Sequence, residues 1–458
     1  MRWDKPLMII SSGGLYYAAA VLAPAGYGPF AAWITGWSNW IGQITAAPSV
    51  DYSLAAMILA AASIEYPGYV PTTWQTFLLA VLLLSLHAGI SSLPTRWIAR
   101  VNSYGSTFNM LALVTVLIAI PAGVTNNNKR GFTPSSEVWG TITNGTDFPD
   151  GIAVLMTFVG VIWTMAGYDS PFHLSEECSN ANIAAPRAIA ITSAVGGVLG
   201  WILQLVVAYT VQDIDAVMNS PLGQPWASYL LQVLPQRTAI ALLALTIVCG
   251  FSMGQGCMVA ASRVTYAYAR DDCFPLSRVW KSVNNRTHTP VNAVLLNTAL
   301  GITMSLLMLA GSVAIGALFS IGAIAQFVAF AIPIAIRVVC HGRFRRGPWH
   351  LGRRCGRVVG GVGVVFVVFM VPVLCLPQTT GRRLSARVMN WTCLVYGAPM
   401  LGVVVWWVVD ARRWFKGPKV NVEHVVVVEG GVGNGNGNGD GDGRGSQDST
   451  RSLTGRFK

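Results

Sequence analysis

Ten long apolar segments dominate this chain and restrict what it can fold into. Each provides the stretch of about 20 residues that a helix needs to cross the hydrocarbon core of a bilayer. They lie at about 29–62, 74–93, 101–122, 151–168, 187–211, 238–262, 292–312, 313–339, 358–376 and 391–409. Two of them form one apolar run, 292–339, which is too long for one span, so we divide it near Gly311–Ser312.

These segments predict helices rather than strands. A transmembrane barrel strand alternates apolar and polar side chains, whereas these segments are apolar all round. A helix also satisfies its own backbone hydrogen bonds in lipid. Hydrophobic residues make up 53% of the chain and charged residues only 11%, which excludes an ordinary soluble enzyme and a disordered protein. The predicted fold class is all-α, a polytopic membrane helix bundle.

The basic residues predict how the bundle is oriented. The net charge is +12, and short loops rich in Lys and Arg mark the cytoplasmic side of membrane proteins. The loops after the second, fourth, sixth and eighth segments are basic, and residues 337–357 alone contain seven arginines without an acid. Both termini are then cytoplasmic. The loop 377–390, with three arginines, is the exception on the opposite side. We find no nucleic-acid-binding motif and expect no such partner.

The chain divides into three parts by composition. Residues 1–28 are predicted to be a cytoplasmic N-terminal segment, and residues 29–409 the transmembrane domain. Residues 410–458 contain a Gly/Asn-rich tract that cannot bury a core, so we expect a disordered cytoplasmic tail.

The segment 164–178 carries the strongest chemical signal. Gly167 and Pro171 are helix breakers at the end of an apolar run, and Asp169 lies between them. A helix broken inside the membrane frees backbone groups, which are tolerated where they line a cavity and can bind a substrate. Tyr168 offers an aromatic face to an ammonium group, and the N-terminus of the resumed helix could hold an anion. The alternative is a helix that simply ends at the surface with a turn.

Other polar residues in the spans have two interpretations each. Asp51, just after Pro48, is a functional candidate because acids are rare in spans, or it lies at a water-exposed kink. His87 fits a packed helix interface. Gln43 could bind a ligand or a neighbouring helix. Gly42 and the alanine four positions after it favour a close approach of another helix.

No enzyme motif, metal-ligand cluster or cofactor-binding fingerprint is present in the sequence. We therefore expect no enzyme, no metal and no cofactor.

Several separated motifs resemble one family of fungal permeases. They are S-G-G-L-Y-Y (12–17), Y-G-P-F-x-x-W-I-T-G-W-x-N-W-x-G-Q (27–43), G-Y-D-S-P-F-H-L-S-E-E (167–177), N-x-x-A-P-R-A-I (182–189), A-S-R-V-T-Y-A-Y-A-R-D (261–271) and T-P-V-N-A-V (289–294). In this order they resemble the amino acid/choline transporter family of the amino acid–polyamine–organocation superfamily, over about 10–410.

The resemblance implies twelve spans in an inverted repeat, with the first and sixth helices broken around the substrate. In this register the ten segments correspond to helices three to twelve, so the first two are expected to be absent. The residues implied to bind substrate are Ala166, Gly167, Tyr168, Asp169, Gln43 and Gln255. Some relatives use a Lys of the fifth helix as an internal cation, and the matching segment here has none. Asp51 and Asp169 are then the candidates for coupling to a proton gradient.

The resemblance predicts a secondary transporter of the plasma membrane. It would carry amino acids or related amines such as choline or 4-aminobutyrate by alternating access, within a lipid bilayer. The alternative is a truncated, non-transporting membrane regulator.

Overall fold

The computed structural model describes residues 14–127, 131–175, 180–340, 351–385 and 388–418. Across these ranges the regular secondary structure is helical, with no β-strand. The all-α fold class is therefore confirmed for the part of the chain that is described. Most of the expected tail, from residue 419 onward, lies outside these ranges.

Nine of the described helices are long and apolar enough to cross a membrane. They are α2 (Gly28–Glu65), α3 (Thr73–Ser91), α4 (Thr95–Asn127), α9 (Ala181–Thr210), α12 (Gln236–Arg270), α14 (Val291–Ser305), α15 (Ser312–Val339), α16 (Arg353–Leu374) and α17 (Thr392–Trp406). Two of these reach their full length through irregular turns. A 3₁₀ segment, Leu306–Ala310, extends α14, and a π-helical segment, Trp407–Ala411, extends α17.

Nine shorter helices connect or flank the long ones. They are α1 (Gly14–Leu22), α5 (Ser135–Gly140), α6 (Asp150–Met156), α7 (Phe158–Thr164), α8 (Ser170–His173), α10 (Ile214–Met218), α11 (Pro225–Val233), α13 (Ser277–Trp280) and α18 (Arg412–Trp414). Within the predicted N-terminal segment, α1 packs against α2 and α15. The Tyr16 hydroxyl of α1 donates a hydrogen bond to the Asp271 carboxylate at the end of α12.

Two helix boundaries test the sequence predictions. The apolar run 292–339 divides where it was predicted to, because Gly311 has φ +115°, a conformation that favours glycine. The segment 151–168 differs from a single span, since Thr157 interrupts it between α6 and α7. The Thr157 hydroxyl donates to the carbonyl of Val154 at 2.7 Å and competes with the regular helical bonds.

The long helix α2 lies at the centre of the bundle and packs against α1, α3, α12 and α15. Small residues allow this close packing. A Cβ on Gly36 would lie 3.4 Å from the ring of Tyr268 on α12, and one on Gly42 would lie 2.7 Å from Cγ of Gln326 on α15. The Ser38 hydroxyl donates to the carbonyl of Ala325 at 2.7 Å. The close approach predicted at Gly42 is therefore present, and it is the kind used between membrane helices.

The loop between α5 and α6 contains the Asn144-Gly145-Thr146 sequon. The side-chain oxygen Oδ1 of Asn144 accepts a hydrogen bond from the backbone N–H of Thr146 at 2.9 Å, so the sequon forms a compact turn. Two further sequons begin at Asn285, which is exposed in the loop between α13 and α14, and at Asn390, just before α17. The charge pattern predicts that the Asn144 and Asn390 sequons lie outside and that the Asn285 sequon lies in the cytoplasm.

Glycosylation in a eukaryotic host tests this orientation. In a chain that carries Asn390→Gln, we expect an endoglycosidase-sensitive shift in gel mobility that Asn144→Gln removes, because only lumenal sequons meet the glycosylation machinery. Asn285→Gln is the matched control and should leave the shift intact. A shift that depends on Asn285 would reverse the orientation.

Candidate functional site

The helical segment α6–α7 breaks before it resumes as α8. α7 ends at Thr164 and α8 begins at Ser170, and between them Gly167 has φ +86°. Pro171 lies in the first turn of α8, where its missing N–H is tolerated. The predicted break is therefore present. The break lies partly at the protein surface, since Ala166 and Gly167 are exposed whereas Asp169 is only 1% exposed.

The break leaves backbone donors free. Among the described residues, no acceptor is found for the N–H groups of Gly167, Tyr168 and Asp169. The resumed helix has only four residues, which is too short to produce the dipole of a regular helix. The anion site predicted at its N-terminus is thus limited to these individual amides.

Asp169 is held by two side chains that approach the same oxygen. Gln43 of α2 donates its Nε2–H to Asp169 Oδ2 at 3.0 Å, and Nε2 of His173 lies 3.0 Å from that oxygen. The other oxygen, Oδ1, is buried and has no partner within the described chain. His173 was not recognised from the sequence, although its spacing of four residues from Asp169 is the spacing of one helix face.

A cavity of about 200 Å³ lies beside this carboxylate. Its lining is mainly apolar and aromatic, with contributions from Trp163, Phe327 and Phe330. The amide side chains of Gln43 and Gln326 add polarity, and no Lys or Arg occurs among the described lining residues. A partly open cavity of this composition, apolar with a few convergent polar groups, is typical of small-molecule binding.

The structure brings five of the six predicted binding residues to this cavity. Ala166, Gly167, Tyr168, Asp169 and Gln43 all line it. Gln255 does not, because it is fully buried between α12 and α3, where its Nε2–H donates to the Ser91 hydroxyl at 2.8 Å. Its position on α12 suggested a lining residue, but the helix faces the cavity with a different side, at Met253, Gly256, Cys257 and Ala260.

Asp51 also lies outside the cavity lining. It is completely buried, so the interpretation as a water-exposed kink is wrong. Its carboxylate contacts the imidazole of His87 on α3, where Nδ1 lies 3.1 Å from Oδ1. The sequence indicated each residue separately but gave no sign that the two form a pair.

A second cavity, of about 550 Å³, lies on the other side of Trp163. Trp163 and Met253 line both cavities. The indole Nε1–H of Trp163 donates to the carbonyl of Phe319 on α15 at 3.1 Å, and the two rings meet edge to face with centroids 5.6 Å apart. One fixed indole therefore forms part of the wall between the two spaces.

Comparison with known proteins identifies the family of this chain. The sequence profile of a family described as amino acid permease matches residues 7–399. The chain belongs to the amino acid permease family. It is a multi-pass membrane permease rather than an enzyme, and permeases of this family act on small amino acids or amines in a lipid membrane.

Three relatives show how similar the sequence of this permease is to those of known proteins. It is 53% identical to an uncharacterized amino-acid permease of Schizosaccharomyces pombe over 414 residues, which cover 90% of this chain and 76% of the relative. It is 45% identical to a candidate polyamine transporter of Candida albicans over 426 residues, covering 92% and 77% of the two chains. It is 32% identical to amino-acid permease 2 of Neurospora crassa over 420 residues, covering 89% and 74%.

Gly42 offers a test of the packing that shapes the cavity. Gly42→Ala should destabilise the permease by about 1–3 kcal/mol, because the new Cβ would lie too close to Gln326 and push α2 away from α15. The measurement is the melting temperature in detergent, which should fall. Gly316→Ala on α15 is the control, because nothing lies within 4 Å of the added methyl. Equal melting temperatures for both variants would contradict tight packing at Gly42.

Proposed function

We propose that this permease is a secondary transporter for small organic compounds that carry a primary ammonium group, and that it binds this group at Asp169. The observation that carries the proposal is the unpartnered Oδ1 of a buried carboxylate beside a partly open cavity. A buried ionised carboxylate is costly unless it is paired, and no Lys or Arg occurs among the described lining residues. A substrate ammonium would supply the missing partner.

The geometry favours some amines over others. A primary ammonium has three N–H donors, and one of them could complete the hydrogen bonding of Oδ1. Choline has no N–H, so it could use only the aromatic faces of Tyr168, Trp163 and Phe330. We therefore place primary amines and amino acids, including 4-aminobutyrate, ahead of choline. The name of the relative from Candida albicans supports an amine.

The free backbone amides suggest a place for a second substrate group. The N–H groups at 167–169 could donate to the carboxylate of an amino acid while its ammonium contacts Asp169. A diamine has no such carboxylate and would leave these donors unused. Competition between amino acids and diamines of equal length therefore distinguishes the two substrate types.

Transport by alternating access fits the position of this site. The broken segment joins α2, α12 and α15 around one cavity, so a shift of the segment against α2 could expose the cavity to either side. We place the protein in the plasma membrane with both termini in the cytoplasm, as the loop charges suggest.

Uptake by cells that lack their own amine and amino-acid permeases tests the proposal. Cells expressing the full chain should take up radiolabelled putrescine or 4-aminobutyrate. Asp169→Asn should raise KM about 10- to 100-fold, since a hydrogen bond to a charged group contributes about 1.5–3 kcal/mol.

Asp215→Asn is the matched control, because this carboxylate is exposed in α10 and far along the chain from the cavity. It should leave KM unchanged. Uptake with equal KM for wild type and Asp169→Asn would overturn the role of Asp169. Absence of uptake by cells with the full chain at their surface would overturn the transport function and favour a non-transporting membrane protein.

A further inference from the structure

We propose that Asp51 and His87 form a proton-binding site, separate from the substrate cavity, through which protonation controls transport. This inference rests on the proposed transport function and adds to it the ion and the residues that bind it. It is carried by the hydrogen-bond geometry of a pair of ionisable groups buried between three helices.

Both groups lie deep in the bundle. The Asp51 and His87 side chains are 1% and 0% exposed. Asp51 precedes Glu65, the end of α2, by 14 residues, and His87 follows Thr73, the start of α3, by the same number. At a rise of about 1.5 Å per residue, both lie about 21 Å from the same end of the bundle, and His87 lies about 6 Å from Ser91 at the other end of α3. The pair therefore lies inside a span but towards one side of the membrane. Ionisable residues at this depth are rare and often belong to proton pathways.

The contacts of the imidazole determine where its protons are. Nε2 of His87 lies 3.1 Å from the backbone carbonyl of Phe251 on α12. A carbonyl can only accept, so Nε2 carries a hydrogen. Nδ1 faces the Asp51 carboxylate and forms a hydrogen bond with Oδ2 at 3.4 Å. Oδ1 is closer, at 3.1 Å, but this contact lacks hydrogen-bond geometry, and Oδ1 has no hydrogen-bond partner among the described residues. A carboxylate also accepts, so the hydrogen bond with Oδ2 requires a proton on Nδ1 or on Asp51 itself.

The pair therefore holds one proton in the described arrangement. With that proton, the two groups together are neutral, either as an ion pair or as two uncharged groups. Without it, two lone pairs would face each other and one negative charge would remain in an apolar surrounding. Such a charge is strongly unfavourable unless water or a cation reaches it. Loss of the proton should thus loosen the packing around the pair.

α12 leaves no space for that water. A Cβ on Gly254 would lie 2.5 Å from Cε1 of His87 and 3.3 Å from Oδ1 of Asp51, so the helix backbone covers the pair directly. The ring of Phe251 covers the imidazole with centroids 4.4 Å apart. Deprotonation should therefore favour an arrangement in which α12 or α3 has moved away from α2.

The same helices reach the substrate cavity. α2 carries Gln43, which holds Asp169, eight residues before Asp51. α12 carries Met253, Gly256 and Cys257, which line the cavity within one turn of Gly254. A movement of α2 against α12 that starts at the pair would change the cavity as well. Protonation of the pair could therefore change substrate binding through this movement of the helices.

Few other titratable groups face the pair. On α12 the nearest is the Cys257 thiol, and on α2 it is the phenol of Tyr52, which packs against Phe319. α14, which also packs against α3, has no titratable side chain. Two neighbouring groups, the Cys257 thiol and the Tyr52 phenol, could therefore contribute to a pH response besides the pair. The thiol lies on α12, the helix that covers the pair.

Reconstitution of the full chain in liposomes tests the proposal with radiolabelled putrescine. Two modes are compared, namely accumulation driven by an imposed pH gradient and counterflow against preloaded putrescine without a gradient. In wild type the gradient should raise accumulation about tenfold or more. In Asp51→Asn and His87→Gln the gradient should no longer raise accumulation, whereas counterflow should stay within about twofold of wild type.

Ser91→Ala is the matched control. It removes the hydrogen bond from Gln255, which joins α3 to α12 one turn from His87, without removing a titratable group. It should keep both modes of transport. Tyr52→Phe, which removes the neighbouring phenol, should likewise keep the response to the gradient, whereas Asp51→Glu, which retains a carboxyl group, should recover part of it.

Three other outcomes would overturn the proton site, the transport function or both. If the two pair variants accumulate putrescine in response to the gradient as wild type does, the proton site is overturned and the transport function stands. The proton site is likewise overturned if Asp51→Asn, His87→Gln and Asp51→Glu all lose counterflow, since the pair is then structural. A wild-type chain that shows no putrescine or 4-aminobutyrate counterflow overturns the transport function and the proton site together.

Discussion

The hydrogen bond from Gln43 to Asp169 is the interaction on which the functional part of the structure depends. It joins the central helix α2 to the only described helix that breaks at the cavity, and it holds a buried carboxylate at a fixed position. A charge in this surrounding is tolerated only where partners are supplied. Gln43 and His173 supply them to one oxygen and leave the other available.

Two buried carboxylates of the bundle, Asp169 and Asp51, each have one oxygen without a hydrogen-bond partner among the described residues, but only Asp169 lines the substrate cavity. This difference separates their roles. Asp169 lies at a cavity, and one of its oxygens has no partner among the described residues. Asp51 is enclosed by packed helices and contacts an imidazole whose other nitrogen is already engaged. The first arrangement suits a ligand that arrives and leaves with donors of its own. The second suits a proton, which is the one ligand small enough for a site without space.

Local features of the sequence predicted most of the fold but few of the contacts. Apolar length indicated the spanning helices, and a glycine at a positive φ accounts for both the division at Gly311 and the break at Gly167. Such features depend on a few neighbouring residues. The pairing of Gln43 with Asp169 spans 126 positions, and that of Asp51 with His87 depends on how α2 and α3 dock. Gln255 was misplaced for the same reason, because the face that a helix presents depends on its rotation in the bundle.

Trp163 separates two cavities of about 200 and 550 Å³, and this thin wall has a kinetic consequence. Helix rearrangements take microseconds to milliseconds, whereas side-chain rotations are much faster. Rotation of the indole requires the loss of one hydrogen bond to Phe319, which contributes about 0.5–1.5 kcal/mol, together with one edge-to-face contact. The indole can therefore change its rotamer many times during each movement of the helices around it, and each change alters its part of the wall between the two spaces.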